Sequence, residues 1–394
     1  MSQYRRLFID FDSFYASVEQ QDNINYRDKP LIVVPCVSDY TCAIAASYQA
    51  KKLGVKTGTR VKVAKEKIPD IIVVEARPKR YVEVHNQIIE IVSKHFEKIQ
   101  VLSIDEMACV INEEDDFDCE MIAAELKLDF MDNIGHVITC SVGVARNVFL
   151  SKVAADMNKP NGFTYLGYDA ERKLKDLDLT DLPGIADRME ARLNKSRIRT
   201  IEDLYSIDEL KLKKAWGSII GARWYHMIRG NLQCDYGICN NEIPKSFGHT
   251  HVLPPNKRDD AGAYEVFESL LYKAIDRLHK NRVGVKRITI YLSWRNTETK
   301  RRGTYKKTSP ITIASLDFKY WTSIAQKLWK EIPALDLKAI PLLVGVRFTR
   351  TIKQEDMNLQ LFDLDFIPDF EISDTYELPD RISFGDPGRL FTEE

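Results

Sequence analysis

Asp10 and Asp12 close the apolar run Leu7-Phe8-Ile9, and Asp105 and Glu106 follow the run Val101-Leu102-Ser103-Ile104 much further along the chain. Carboxylates are rarely buried unless they are paired or hold a metal. Two strands that bring such groups together make a site for divalent cations, of the kind that transfers phosphoryl groups between two metal ions. Hard cations take oxygen donors, which fits acidic residues without histidine or cysteine. Side chains alternate along a strand, so Asp10 and Asp12 share a face, whereas Asp105 and Glu106 point to opposite faces of a regular strand. Both serve one site only where Glu106 lies at a strand end or a turn. Asp10, Asp105 and Glu106 are therefore the candidate ligands, and Asp12 reads as a structural carboxylate, in a salt bridge or a helix cap.

The elements that must position these groups follow from hydrophobic spacing. Residues 7–11 and 31–34 read as buried strands with a helix from about Ser13 to Gln21 between them. Helical spacing returns at 43–53 and 80–97, the second acidic strand lies within 101–111, and a helix over 119–132 and a strand over 136–144 follow. Strands interleaved with helices make residues 1–166 an α/β or α+β body. Residues 170–232 read as helical around the loop Leu182-Pro183-Gly184-Ile185, and 233–246 as a linker. Beyond it the order strand, helix, strand, strand, helix, strand predicts one sheet with two helices on a single face and basic residues on the other.

The chain has 394 residues and a net charge of −1, enough for several domains with cores of their own. That balance hides an asymmetry: residues 244–350 carry 21 Lys and Arg against 9 Asp and Glu, and residues 351–394 carry 3 against 12. A basic module of this size expects a polyanionic partner. With no run of eighteen apolar residues, no membrane span is expected, and the first residues lead into a strand rather than a signal peptide. The seven cysteines, an odd number without a CxxC pair, predict reduced thiols in a cytoplasmic setting rather than disulfides or a zinc site. His249 and His251 have ligand-like spacing and no evident third ligand.

Three motifs carry a specific resemblance. Phe8-Ile9-Asp10-Phe11-Asp12-Ser13-Phe14-Tyr15-Ala16-Ser17-Val18-Glu19, then Ser103-Ile104-Asp105-Glu106, then Ser141-Val142-Gly143-Val144-Ala145 with Asn147, Ser151-Lys152-Val153-Ala154-Ala155-Asp156 and Lys159-Pro160-Asn161-Gly162 resemble, in order and spacing, the motifs of the Y-family translesion DNA polymerases of the DinB/UmuC class. The resemblance implies an α+β right-hand polymerase. Its ferredoxin-like palm would be 1–20 and 78–168, its small fingers 21–77, its helical thumb 169–232 and its linker 233–243. A βαββαβ little finger would occupy 244–350 and an acidic tail 351–394.

It further implies two Mg²⁺ ions on Asp10, Asp105, Glu106 and the Phe11 carbonyl, and Tyr15 as the steric gate against a ribose 2′-hydroxyl. Tyr48, Lys51 and Lys159 match triphosphate-binding positions. Lys51 stands where arginine is usual, which keeps the charge and loses the bidentate fork, with Lys52 the neighbouring alternative. Cys42 and Ile44 match the roof over the nascent base pair, and the bulk of Ile44 implies a tighter fit for large lesions. Gly184 matches a helix-hairpin-helix tip, with Ala186 where a second glycine is usual. Lys286, Arg287, Lys300, Arg301, Arg302, Lys306 and Lys307 match the DNA-binding little finger.

Asn358, Leu361 and Phe362 match a sliding-clamp peptide in which glutamine normally replaces the asparagine. The implied partners are primed template DNA, dNTPs and, through the tail, the clamp. The expected protein is a monomer in the cytoplasm, associated with the nucleoid, that copies damaged DNA without proofreading. Two other classes compete: a nucleotidyl cyclase, which joins two metals to a similar palm, and a non-catalytic polymerase-like scaffold that binds DNA.

Overall fold

Leu7, Phe8 and Ile9 are buried on both sides, which only a central strand covered on both faces allows. A computed structural model describes residues 5–111, 118–231, 244–333, 338–354 and 357. The expected linker and the clamp-like peptide at Asn358, Leu361 and Phe362 lie outside these residues. The chain forms two bodies, one ending before residues 232–243 and one beginning after them.

In the first body, β1 (Arg5–Phe11) leads into α1 (Phe14–Asp22). There follow β2 (Leu31–Val34), β3 (Ala45–Ala46), α2 (Tyr48–Lys52), α3 (Val61–Lys67) and β4 (Ile72–Glu75). The last three strands named form a sheet of order β3-β2-β4, with its own core of residues such as Ile32, Val34, Val61 and Ala64. The helix expected over 43–53 is only α2. Ile44 and Ser47 instead donate their backbone N–H groups to Val33 and Leu31, so pairing with β2 overrides the helical spacing. The Ser47 hydroxyl then caps α2 by accepting from Ala50 N–H.

The chain continues through α4 (Pro78–His95), β5 (Ile99–Val101), β6 (Glu106–Ile111), α5 (Cys119–Asn133), β7 (Cys140–Ala145), α6 (Val148–Met157) and β8 (Phe163–Tyr165). The second sheet has the order β5-β6-β1-β7-β8. Alternation along its central strands decides what faces what. Leu7, Ile9, Met107, Cys109, Val142 and Val144 turn into the core with α4 and α5. Phe8 and Ala108 turn to the other face, where they meet Ala155 of α6. Asp10, Glu106 and Ser141 are in register across β6, β1 and β7, on this second face. Helices α7 (Ala170–Leu174), α8 (Asp187–Lys195), α9 (Ile201–Ser206), α10 (Glu209–Trp216) and α11 (Ile220–Ile228) pack together around stacked Trp216 and Trp224, ring centroids 4.8 Å apart.

The second body is β9 (Ser246–Val252), α12 (Asp260–Lys280), β10 (Val283–Asn296), β11 (Arg302–Ser315), α13 (Phe318–Lys330) and β12 (Ala339–Lys353), the βαββαβ order read from the sequence. Its antiparallel sheet runs β11-β10-β12-β9, and both helices cover one face through Val266, Leu270, Ile275 and Trp321. The last strand extends three residues into the stretch read as tail.

Helix α6 packs tightly against the sheet. A Cβ at Gly143 would stand 2.1 Å from the Ser151 carbonyl oxygen and 2.3 Å from the Ala155 nitrogen, both helix backbone. Gly143→Ala is expected to push α6 off the sheet and to destabilise the protein by about 1–3 kcal/mol, measured by thermal or urea unfolding.

Candidate active site

The two acidic motifs meet at a hairpin. Leu102 and Ser103 both donate backbone N–H to the Glu106 carbonyl, and Phe11 N–H donates to the Asp105 carbonyl at 2.9 Å. The chain bends between β5 and β6, with Asp105 in the bend and Glu106 as the first residue of β6, directly opposite Asp10. This geometry meets the condition under which adjacent Asp105 and Glu106 serve one site. The Ser103 hydroxyl donates to Asp105 Oδ1 at 2.5 Å. Burial raises both Asp10 and Asp105 above the ordinary carboxylate range, Asp10 to about 6, against the opposing pull of Lys159 and Lys152 on Asp10.

Those two ammonium groups lie among the carboxylates. Lys152, on α6 above the Phe8 ring, pairs closely with Glu106 and lies 3.6 Å from Asp10 Oδ2 and 3.9 Å from Asp156. Lys159 donates to Asp10 Oδ2 and Asp156 Oδ1, each at 2.7 Å. Burial opposes the charge on both lysines, yet the surrounding carboxylates hold both above the ordinary lysine value. Among the described residues no three carboxylate, imidazole or thiol groups converge on one point. The three acids nonetheless fit a hard divalent cation: they are oxygen donors only, Asp10 is buried with Asp105 and Glu106 half-buried beside it, and they already collect two positive charges. Lys152 and Asp156 had no role in the sequence reading. Their signal was the i, i+4 spacing on a helix, with Lys159 three residues on.

Around this centre stand the remaining candidates. Tyr15 opens α1 and is 5% exposed, its ring 4.7 Å from that of Tyr81 and 5.7 Å from that of Phe14. Tyr81 is itself fixed by donating its hydroxyl to Glu19 at 2.7 Å, and Arg77 pairs with the same carboxylate. Burial, then the Asp105 charge, pushes the Tyr15 phenol well up, so it stays neutral. Asp12 does not cap α1. It is the shared acceptor of Tyr48, Thr139, Ser141 and Asn161. Lys51 lies over the Tyr48 ring, 4.4 Å from its centroid, and burial, then Lys159, lowers its pKa. Cys42 is exposed and bridged to Arg60, and Ile44 is half-buried beside β2.

Gly184 has φ +101° in the turn before α8, a conformation that favours glycine. In the second body, β10 and β11 pair Tyr291 with Lys306 and Arg295 with Arg302. Alternation places Lys306, Arg302, Arg295 and Arg287 on the sheet face without helices, with Arg347 of β12, which the sequence reading did not single out. Lys307 is the exception among the expected basic residues: it is opposite Ile290, on the helix-bearing face, and lies 3.7 Å from Glu331. Lys300 and Arg301 lie in the turn between the two strands.

The chain is similar to known proteins. Residues 9–156 match the impB/mucB/samB family, 180–231 the thumb domain of DNA polymerase-iota, and 244–361 the C-terminal domain of the impB/mucB/samB family. DNA polymerase IV of Sulfurisphaera tokodaii is 32% identical over 365 residues, covering 90% of this chain and 98% of that protein. DNA polymerase IV of Staphylococcus epidermidis is 29% identical over 374 residues, covering 92% and 99%. Among solved structures, a Y-family DNA polymerase chimera built on Dbh superposes with a TM-score of 0.71 at 28% identity, covering 89% of this chain and 99% of that one. The insertion ternary complex of Dbh DNA polymerase gives 0.60 at 27%, with the same coverage. The chain belongs to the Y family of translesion DNA polymerases, of the DinB type. Members of this family are metal-dependent nucleotidyltransferases, in keeping with the donor set.

Lys152 compensates charge that would otherwise be buried and unpaired. Lys152→Met is expected to destabilise the cation-free protein by about 2 kcal/mol, seen as a lower Tm in EDTA. Added Mg²⁺ should restore more of the Tm in the variant than in the parent.

Proposed function

We propose that the cleft around Asp10, Asp105 and Glu106 adds dNTPs to a primer 3′-hydroxyl on damaged template DNA, at low fidelity and without proofreading. The observation that carries this is the register of Asp10 with Glu106, beside Asp105, on the sheet face that Lys152 and Lys159 reach. Asp10, Asp105, Glu106 and the Phe11 carbonyl would hold two Mg²⁺ ions, which supply acidity to the primer hydroxyl and charge compensation to the leaving pyrophosphate. Lys159 exchanges Asp10 and Asp156 for the triphosphate, joined by Tyr48 and Lys51. The Tyr15 ring, wedged by Tyr81, fills the space of a 2′-hydroxyl. Cys42 and Ile44 roof the nascent base pair.

The division into palm, fingers, thumb and little finger at the boundaries given above goes with this reading. Arg287, Arg302 and Lys306 grip template and primer phosphates without regard to sequence, and Lys286, Lys300 and Arg301 extend that surface. The amides of the turn at Gly184 take a further phosphate. Asn358, Leu361 and Phe362 dock a sliding clamp, and the protein acts as a monomer in the nucleoid-associated cytoplasm. Among the described residues no helix is long and apolar enough to cross a membrane.

Purified protein is expected to extend a primed template with dNTPs and Mg²⁺, and the Asp105→Ala, Glu106→Ala double substitution to abolish extension while DNA binding persists. A cyclic product from ATP without DNA, or DNA binding without extension by the parent, would overturn the proposal in favour of a cyclase or a scaffold. In the same assay Tyr15→Ala should lower discrimination between dNTPs and rNTPs by about a hundredfold, and unchanged discrimination removes Tyr15 as the gate.

A further inference from the structure

Asp12 stands just past the end of β1 and is 1% exposed. Its carboxylate accepts four hydrogen bonds from separate stretches of chain. Oδ1 takes the Ser141 hydroxyl of β7 at 2.9 Å and the Tyr48 hydroxyl of α2 at 3.3 Å. Oδ2 takes the Thr139 hydroxyl at 2.9 Å and the backbone N–H of Asn161 at 2.7 Å. Asn161 lies two residues beyond Lys159 in the turn that follows α6. The same turn is held from its carbonyl side by Lys127, whose ammonium donates to the Asn161 and Gly162 carbonyls at 2.8 and 2.9 Å. The turn therefore has little freedom of its own, and its position relative to α2 is set through Asp12.

We infer that Asp12 is a positioning residue that fixes the Tyr48 hydroxyl against the Lys159 turn, so that both reach one triphosphate. The inference rests on the reading that Tyr48 and Lys159 bind the triphosphate. Of the four donors only the Asn161 N–H cannot reverse its role, and a carboxylate, with four acceptor positions, takes all four as they stand. A helix cap or a single salt bridge would need fewer. Tyr48 and Lys159 belong to different elements, α2 beside the three-stranded sheet and the turn after α6. Asp12 bonds to both elements at once.

The amide of asparagine keeps one acceptor oxygen for the Asn161 N–H and the Thr139 hydroxyl. Its NH₂ turns to Ser141 and Tyr48, whose hydroxyls can rotate to accept. Asp12→Asn therefore preserves the fold while reversing the bond to Tyr48. The test is steady-state dNTP insertion and thermal melting for Asp12→Asn, Tyr48→Phe, their combination, and Thr139→Val. Asp12→Asn should raise KM for dNTP about tenfold with a smaller change in kcat, and Tyr48→Phe should add little in the Asp12→Asn background.

Thr139→Val removes one support of the carboxylate, and should lower Tm while leaving KM within about twofold. Should Asp12→Asn give no folded melt, Asp12→Glu, which keeps the charge but displaces it, takes its place in the cycle under the same criterion. Multiplicative effects of the two substitutions, or a KM for Thr139→Val raised as far as in Asp12→Asn, overturn the inference. An unchanged KM for Asp12→Asn with a raised KM for Tyr48→Phe overturns it alone. An unchanged KM for Tyr48→Phe overturns the triphosphate reading and the inference with it.

Discussion

Three carboxylates drawn to the ends of two adjacent strands repel one another, and burial makes Asp10 and Asp105 more costly to keep charged. The fold relieves this by bringing α6 close enough for its lysine to reach them. Gly143 on the sheet and Ala155 on the helix leave no side chain between the two backbones, and Phe8 offers its ring face to the Lys152 ammonium. Small residues, an aromatic ring and a cation thus act as one unit. Without the close approach, Lys152 would fall short of Glu106, and the acidic ends of β1 and β6 would not tolerate their shared register.

The second constraint is the hairpin at residues 102–105. A strand that ran on through Asp105 would send one of its two acids into the aliphatic core under α4 and α5. Breaking the ladder at the Glu106 carbonyl, which accepts from two successive N–H groups, lets Asp105 leave the alternation while Glu106 keeps it. The site is therefore built from one regular position and one irregular position on the same chain segment.

Much of this was legible in the sequence. The apolar run before Asp10 located β1, and the order of strands and helices read after residue 244 is the one the second body shows, because long amphipathic elements announce their faces. Short elements did not. Ala43–Ser47 has the spacing of a helix, yet is claimed by pairing with β2, a contact made far along the chain. The adjacency of Lys306 and Lys307 looks like a single basic cluster on paper, whereas the pleat sends one to the open face and the other to Glu331. Asp12 was recognisable as structural, but its four donors come from three separate segments, and no spacing rule brings those together.

One irregularity in the second sheet carries a wider consequence. Val283 and Val285 are buried, as are Ile288, Ile290 and Leu292, so the buried positions change parity between them, where β10 shifts register against β11 and Arg350 of β12 takes φ +59°. Without that shift, Arg287 would continue the aliphatic series and enter the core. The irregularity works as a phase switch: it divides β10 into two halves that obey opposite inside-outside rules. Removal of one residue at the shift would put both halves of β10 in one phase, so that either the two upstream valines or the downstream aliphatic series would leave the buried face.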